Sequence, residues 1–303
     1  MCLEEKIIVP ISNFTWGGNS KKITEYLTIK LQEHGFCPDF IKDHYCLSEY
    51  DYEAIRRCCY WLVINENFPR IGENDKSSLS QIINLFATVL WIVCPMGASP
   101  LFRFKGTDPE YKYYTQFMDR FNIVESEKQM NASDSKMDTI CSIYPKIIDI
   151  RKNHERMNSA VTFTYRGCLE NAWNVAYICF MAAFETILFN KMKSNMQGRL
   201  SMACGLILGD TLEEYHKYRK QFVKLYDIRS DILHGKAYTL VDSENNLDNL
   251  GNLSKLLRHT WIKILISDDL FNVTKSDDDT RTIWLQNRQE SLKTKFFEKQ
   301  RST

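Results

Sequence analysis

Proline and glycine are scarce in this chain, with seven and twelve copies among 303 residues. Because these residues interrupt helices, their scarcity favours a helix-rich structure. The longest uninterrupted apolar run, Val175–Phe184, has only ten residues, too few to cross a bilayer, so we expect no membrane segment. We interpret it instead as the central helix of a core, apolar on every side because other elements surround it.

Familiar chemical signatures are also missing. The chain has no Walker A spacing, no kinase signature and no Ser-His-Asp elbow. Its ten cysteines form no disulfide-like framework, and its first six residues lack the basic and apolar regions of a signal peptide. We therefore expect a cytoplasmic protein with reduced thiols and no cofactor.

The nearest approach to a metal-binding cluster lies early in the chain. It consists of Cys37, His44, Cys46, Cys58 and Cys59. None of these residues shows paired C-x2-C spacing, so we favour small buried side chains over a zinc site and predict no metal. An aromatic group later in the same half either stacks bases or, as we favour, packs one face of a helix on a core. That group is Tyr111, Tyr113, Tyr114, Phe117 and Phe121.

Composition divides the chain. Residues 1–124 predict an α+β N-terminal domain whose own sequence indicates no role. The polar stretch 125–138 predicts a linker, residues 139–275 an all-α helical bundle, and 276–303 a basic tail, so the chain is mainly α overall. Residues 1–135 carry a net charge of −4 and residues 136–303 one of +5. The basic half suits phosphate contact, although a solvated helical surface explains the same charge.

Local patterns predict the elements of the first half. Lys6–Ile11 predicts a strand and Lys21–His34 a helix. Asp51–Asn65 predicts a second helix, and Leu79–Val93 a helix that becomes a strand. Leu101–Phe104 predicts another short strand.

The glycine-rich segment Gly17–Lys21 joins the first predicted strand to the first predicted helix. Such a junction can bind phosphate through its backbone amides. It lacks the spacing of a P-loop, however, so we favour a plain turn.

The second half predicts helices throughout. They span about Thr139–Arg156, Arg166–Lys191, Gly198–Leu208, Leu212–His234 and Asn252–Ser267. Thr211 and the two glutamates that follow it give the fourth helix a credible start, and Gly235 marks its end.

The most informative motif lies at the end of that fourth helix. On a helical wheel, Arg229 falls in the middle of an apolar stripe, and His234 lies off to one side. The stripe comprises Phe222, Leu225, Tyr226, Ile232 and Leu233. A guanidinium there is costly unless it is paired or has a task, and an accessible histidine is the usual acid or base at physiological pH.

Arg-x4-His followed by glycine, late in an all-helical region, resembles the HEPN superfamily, in particular its Apea-like branch. Tyr177–Leu188 is similar to that family's "ALE-x-L" helix, with Glu185 as the acid, and Gly198–Gly209 resembles the helix that follows. The resemblance covers roughly Met137–Val273. It implies a metal-independent endoribonuclease of prokaryotic defence or a toxin. Such an enzyme would cleave tRNA or other single-stranded RNA as a homodimer and leave a 2′,3′-cyclic phosphate.

The resemblance assigns catalysis to Arg229 and His234, with assistance from Ser230, where other branches often carry a different polar residue. The residues themselves also allow a structural interpretation, in which Arg229 pairs with Glu185 and His234 caps the helix. Asp231 would pair with a nearby cation such as Lys224 or Lys236. Positions five apart on a helix diverge by about 140°, so a composite site needs local unwinding or a second copy. The alternative from another class is a non-catalytic HEPN-like dimer that binds RNA or a protein.

Overall fold

The computed structural model describes residues 6–31, 48–71, 75–95, 98–107, 110–116, 132–188, 195–235 and 244–301. The chain is mainly helical, with an antiparallel sheet in its N-terminal half. It divides into two compact units, Met1–Asp149 and Ile150–Thr303. No helix among the described residues is long and apolar enough to cross a membrane.

The first unit is built on an antiparallel sheet. Its described elements are β1 Lys6–Ser12, β2 Ser20–Lys22, β3 Leu27–Leu31, α1 Glu49–Arg56, β4 Tyr60–Asn65, α2 Asp75–Val93, β5 Ser99–Pro100, β6 Phe102–Thr107, β7 Glu110–Gln116 and α3 Asp134–Asn153. The strand order is β2-β3-β4-β1-β6-β7, with β5 paired to the end of β1. Every pairing between these strands is antiparallel, which agrees with the predicted α+β class.

Strand β1 is central and buried on both faces. Ile8 belongs to a cluster with Trp61, Phe104 and Ile55 of α1, while Val9, which points the opposite way, is fully buried as well. A strand enclosed on both sides reads as a continuous apolar run. The predicted strands Lys6–Ile11 and Leu101–Phe104 are therefore confirmed, with small shifts in their ends.

Two helix predictions in this unit are wrong. The described part of Lys21–His34 contains β2 and β3 instead of a helix, because β3 pairs with β2 on one side and with β4, which lies later in the chain, on the other. Asp51–Asn65 begins as α1, capped by Ser48, but continues as β4 after Arg56. Leu79–Val93 remains helical throughout as part of α2.

The predicted linker 125–138 is partly helical. Helix α3 begins at Asp134, and the division between the two units falls later, between Asp149 and Ile150. The first turns of α3 are attached within the first unit, because the Trp16 indole donates to Asp134 over 2.8 Å and Lys21 pairs with Asp138. Residues 125–131 lie outside the described part of the chain.

The second unit is all-helical in its described residues. Its helices are α4 Glu155–Leu169, α5 Trp173–Leu188, α6 Met196–Leu208, α7 Leu212–Leu233, α8 Glu244–Ile266, α9 Asp268–Lys275 and α10 Asp278–Arg301. The region predicted as two helices, 139–191, forms three, because the backbone leaves helical geometry at His154 and again at Glu170. The apolar run lies in α5, which packs on α4, α8, α6 and α7.

Close packing joins the central pair of helices. Gly167 of α4 faces the ring of Phe180 in α5, where an added Cβ would come within 2.5 Å of the ring. The buried Trp261 indole of α8 donates to the Thr164 hydroxyl of α4 over 3.0 Å. The hydrogen bond satisfies both polar groups inside an apolar core, so it fixes α8 against α4 at little cost.

Helix ends in this unit are satisfied by arginines. The Arg156 guanidinium donates to the carbonyls of Thr186 and Ile187 at the end of α5 and to that of Thr274 at the end of α9. Burial lowers the pKa of Arg156 to about 10. Such contacts supply partners for the orphan carbonyls of a helix C-terminus.

The stretch predicted as a basic tail, 276–303, is largely the helix α10. Its Leu285 and Leu292 are buried. Arg288 donates to the Gly209 carbonyl over 3.0 Å and pairs with Asp210 over 2.9 Å. The first part of α10 is therefore attached to the turn between α6 and α7.

Candidate functional site

Helix α7 carries the predicted motif between well-marked ends. Thr211 and Glu214 form a capping box, in which the Glu214 amide donates to the Thr211 hydroxyl over 3.1 Å and the Glu214 carboxylate accepts the Thr211 amide. At the other end His234 is the C-cap and Gly235 adopts a left-handed φ of 74°. The predicted start and end of this helix are confirmed.

The middle of α7 is anchored in the core. Phe222 and Leu225 are buried, and the Phe222 ring meets Phe184 of α5 edge-on at 5.2 Å. The Tyr177 hydroxyl of α5 also donates to the Leu225 carbonyl over 2.7 Å. These contacts fix the rotation of α7 about its axis, and hence the direction in which Arg229 points.

Arg229 pairs with Glu185 of α5, the partner that the structural interpretation of the motif gives it. Arg229 Nη2 lies 3.1 Å from Glu185 Oε1, and the two side chains are 29% and 24% exposed. The Arg229 guanidinium also lies over the Tyr226 ring, 5.3 Å from its centroid. Burial raises the pKa of the Glu185 carboxyl, and Arg229 opposes that shift.

The Arg229 and Glu185 side chains are close, but their atoms are not aligned for a hydrogen bond. Although the distance is that of an ion pair, Glu185 Oε1 is buried and receives no hydrogen bond within the described residues. No described acceptor takes a hydrogen bond from the Arg229 guanidinium either. A guanidinium has five N–H donors in a planar fork that matches carboxylate and phosphate oxygens. Arg229 is thus held in place by charge and by the Tyr226 ring while its donors remain available.

His234 is exposed, and its ring has no partner among the described residues. Its backbone, at φ −89° and ψ 7°, continues nearly helical geometry, and its amide donates to the Ser230 carbonyl over 3.0 Å. There is no unwinding between Arg229 and His234, so the two side chains diverge by about 140°. A single chain therefore does not bring them together through α7.

The two residues that follow Arg229 are placed differently. Ser230 is half-buried, and its hydroxyl makes no hydrogen bond to a described group. Asp231 is exposed at the surface. Lys236, a cation near Asp231 in the sequence, lies outside the described residues, whereas Lys224 is exposed on α7.

Apolar side chains at this end of α7 are only partly covered. Tyr226 and Ile232 are half-buried, and Leu233 is 52% exposed, although the wheel places all three on the apolar stripe. A single exposed leucine is ordinary, but Leu233 shares this helix end and the wheel face of Arg229 with Tyr226 and Ile232. This end of the helix therefore presents apolar surface next to Arg229.

Sequence reasoning missed two contacts at the site. The wheel assigns Tyr226 to the apolar stripe, yet its ring lies under the Arg229 guanidinium. The sequence signal for this contact is that Tyr226 lies three residues earlier on the same helix. The Gln197 amide of α6 bridges to α7, donating to the Asp227 carboxylate over 2.7 Å and to the Val223 carbonyl over 3.2 Å. No local pattern in the sequence indicates that bridge, because it joins separate elements.

The other candidate sites gain little from the structure. Gly17–Lys21 leads into strand β2 and not into a helix, so the phosphate interpretation loses the helix N-terminus it needs. Cys58 is buried, and burial raises the pKa of its thiol to about 12, as for a small core residue. No group of metal-ligating residues occurs within the described ranges, from which Cys37, His44 and Cys46 are absent.

The aromatic group predicted to form a helix face is also placed differently. Tyr111, Tyr113 and Tyr114 lie on strand β7, which pairs with β6. Phe117 and Phe121 lie outside the described residues. The predicted helix is therefore wrong for the three tyrosines.

Comparison with protein-family models, with curated proteins and with solved structures finds no match to this chain. The resemblance to the HEPN superfamily consequently depends on the motif residues and on the order of the helices around them.

Proposed function

We propose that this protein is a metal-independent RNA endonuclease of HEPN type that acts as a homodimer. The observation that carries the proposal is the state of Arg229, a half-buried guanidinium held in place beside Glu185, whose N–H groups donate no hydrogen bond to any described residue. A planar cation so prepared suits a phosphate, which can accept two parallel hydrogen bonds. Arg156, whose donors are directed at helix carbonyls, illustrates what a purely structural arginine looks like in the same unit.

The reaction needs a base, an acid and a cation. The base removes the proton of an RNA 2′-hydroxyl, and that oxygen attacks the adjacent phosphorus. The bond from phosphorus to the 5′-oxygen breaks, and the acid protonates the departing oxygen. The products are a 2′,3′-cyclic phosphate and a 5′-hydroxyl. His234 supplies proton transfer, Arg229 stabilises the charge on the phosphorane oxygens, and the Ser230 hydroxyl orients phosphate or water.

A dimer solves the geometric problem of α7. Because Arg229 and His234 diverge by about 140°, one copy offers a phosphate either the guanidinium or the imidazole. Two copies related by a twofold axis place the arginine of one beside the histidine of the other. The exposed Leu233 and half-buried Ile232 supply apolar surface for such a contact.

The resemblance also supplies the biological setting of the proposal. It implies a role in prokaryotic antiviral defence or as a toxin that cleaves tRNA or other single-stranded RNA, and the cysteine usage favours the cytoplasm as the place of action. The N-terminal unit would then sense a trigger or position the substrate. No cofactor or metal is required for this chemistry, since the side chains provide the proton transfers and the charge.

A second candidate is a non-catalytic HEPN-like dimer that binds RNA or a protein. The observation in its favour is the Glu185–Arg229 pair itself, which neutralises the guanidinium in the isolated chain. Under this alternative Arg229 and His234 are a structural ion pair and a helix cap. RNA would then bind without being cleaved.

The test is incubation of the purified protein with total RNA in EDTA, with mapping of the product ends. We expect cleavage with 2′,3′-cyclic phosphate ends, abolished in His234→Ala and in Arg229→Ala. Mixing those two inactive variants should restore part of the activity, because mixed dimers contain one intact arginine and one intact histidine. Undiminished cleavage by His234→Ala would rule out the mechanism, and RNA binding without any cleavage would leave the binding module.

A further inference from the structure

Helix α10 changes character after Leu292. Up to that residue it is attached to the second unit by buried Leu285 and Leu292 and by Arg288, which contacts the turn between α6 and α7. After Leu292 every side chain that the structure describes is exposed. The helix nevertheless continues to Arg301, about 13 Å further at 1.5 Å per residue. We call residues 293–301 the basic arm.

The basic arm carries two exposed aromatic rings. Phe296 and Phe297 are 39% and 58% exposed, and their rings contact each other at 5.8 Å without a further ring contact among the described residues. Exposed phenylalanines are costly to keep in water, so an adjacent pair at the end of a helix indicates a binding partner for the rings. A flat π surface of this kind accepts a nucleobase.

Charge on the basic arm selects an anionic partner. Lys293, Lys295, Lys299 and Arg301 accompany a single acid, Glu298, for a net charge of +3 over 293–303. Lys293 pairs with Glu290 one turn earlier, but both side chains are largely exposed, so a polyanion can displace that contact. Lys295 makes no ion pair with a described residue.

We propose that the basic arm binds single-stranded RNA, with bases stacked on Phe296 and Phe297 and phosphates held by Lys293 and Lys295. This inference rests on the proposed function for the choice of RNA, and it extends that function by naming where the substrate strand is held outside the motif. Sequence-tolerant binding of single strands uses this combination of aromatic rings and cations.

The arrangement around the helix favours RNA over a membrane. At 100° per residue, Phe296 and Phe297 lie on either side of Lys293, and Lys295 lies about 100° beyond Phe296, so the order around the helix is Lys295, Phe296, Lys293 and Phe297. A helix that lies in a membrane interface separates an apolar face from a charged face. Here the cations alternate with the rings, which suits a strand whose bases and phosphates alternate.

The test measures RNA affinity without cleavage. The parent is the full chain carrying His234→Ala, and the probe is a fluorescein-labelled single-stranded oligoribonucleotide in EDTA, followed by anisotropy over a salt series. Phe296→Ser with Phe297→Ser should weaken binding about tenfold or more at unchanged salt slope. Lys293→Gln with Lys295→Gln should instead reduce the slope of log affinity against log salt by about 1.4, because each phosphate that is no longer neutralised lowers that slope by about 0.7.

Matched controls lie on the same unit. Ile283→Ser removes another exposed apolar side chain, 57% exposed, from the attached part of α10, and Lys255→Gln removes an exposed lysine from α8. Both controls should bind RNA as the parent does. Arm variants that behave like these controls, or a parent that binds no RNA, would overturn the inference.

Other partners give distinguishable results. Arm-dependent binding to phosphatidylserine vesicles at unchanged RNA affinity would overturn the inference in favour of a membrane. A change of sedimentation coefficient in the arm variants without RNA would overturn it in favour of self-association. The failure of this inference can be told apart from the failure of the proposed function. Arm-dependent RNA binding by a wild-type protein that never cleaves RNA would support the basic arm and contradict the nuclease. Efficient cleavage by the wild type, with RNA binding that does not depend on the arm, would support the nuclease and contradict the basic arm.

Discussion

The two ends of helix α7 are built in different ways. At the start, a capping box satisfies the backbone, Tyr215 is buried, and Asp210 pairs with Lys263 and Arg288 from other helices. At the end, the described Arg229 makes one badly directed ion pair, Leu233 is exposed, and His234 projects into solvent. Contacts that stabilise the fold are concentrated at one end, and reactive groups with unused hydrogen-bonding capacity at the other.

This difference shows how to tell structural charges from functional ones. Arg288 and Arg229 are both arginines that contact an acid from another helix or turn, at 2.9 Å and 3.1 Å. Arg288 also donates to the Gly209 carbonyl, whereas Arg229 donates to nothing described. Distance to an acid does not separate them, but the satisfaction of the donors does.

The largest expected effect comes from replacing each arginine by lysine. Arg229→Lys keeps the charge but loses the planar fork, so RNA cleavage should fall by about 100-fold or more. Arg288→Lys is the matched control and should leave cleavage within about twofold, since it acts only in packing. Initial rates on one labelled RNA measure both. Equal losses of cleavage rate in the two variants would contradict the proposed difference between the two ends of α7.

The core of α7 should dominate stability. Phe222→Ala removes a buried ring that packs on Phe184 and should cost about 3–5 kcal/mol of unfolding free energy. Leu233→Ala, on the exposed end of the same helix, should change that free energy by less than about 0.5 kcal/mol. Urea unfolding at a concentration where the chain is monomeric gives both values. A large cost for Leu233→Ala would show that this end is covered in the single chain.

The Glu185–Arg229 pair should contribute a smaller amount. Because both side chains remain about a quarter exposed, removing Arg229 should cost about 1–2 kcal/mol, less than the 3–5 kcal/mol of a fully buried pair. The double change Arg229→Met with Glu185→Leu should recover that stability without recovering cleavage. His234→Ala should stay within about 1 kcal/mol of the wild type. If the double variant unfolds more easily than Arg229→Ala, the Glu185–Arg229 ion pair stabilises the fold more than its geometry indicates.

The smallest expected effects concern the dependence of stability on pH. The contributions of Asp210, at the start of α7, and of Glu185, beside its end, should change with pH in opposite directions. Hydrogen bonding to Lys263 lowers the pKa of Asp210, so its contribution is complete above the ordinary aspartate pKa and is lost as pH falls through the lowered value. Burial raises the pKa of Glu185, so ionisation costs stability as pH rises from the ordinary glutamate value through the raised one.

Two variants measure these opposite slopes by urea unfolding between about pH 3 and about pH 8. Asp210→Asn should destabilise most near neutral pH and least in acid. Glu185→Gln should compare most favourably with the wild type near neutral pH and match it in acid. Parallel slopes for the two variants would contradict the assigned directions.

Local chemistry explains which elements were predictable. The ends of α7 follow from Thr211 and Gly235, whose side-chain oxygen and missing Cβ act within a few residues. The contact of Arg229 with Glu185 followed from a polar residue on each of two apolar faces. The division into an α+β half and a helical half was also predictable, because it follows from composition and local residue patterns.

Long-range pairing explains the failures. Nothing near β3 indicates that its backbone will pair with β4, which lies much later in the chain, so a helix was predicted there. The helix predicted over Asp51–Asn65 includes β4, although Tyr60–Ile64 is rich in residues that favour strands. At the site, the Gln197 bridge and the continuous backbone through His234 depend on packing between helices, which the motif alone does not specify.

The spacing of the motif has a consequence for dosage. Four residues separate Arg229 from His234; with three, the two groups would lie about 40° apart on one face, and a lone chain would hold the whole site. The actual interval makes the proposed chemistry second order in the protein itself. Below the dissociation constant of the dimer, activity would rise with the square of the chain's concentration, so a cell could carry a low level of the protein harmlessly and be harmed by a modest increase.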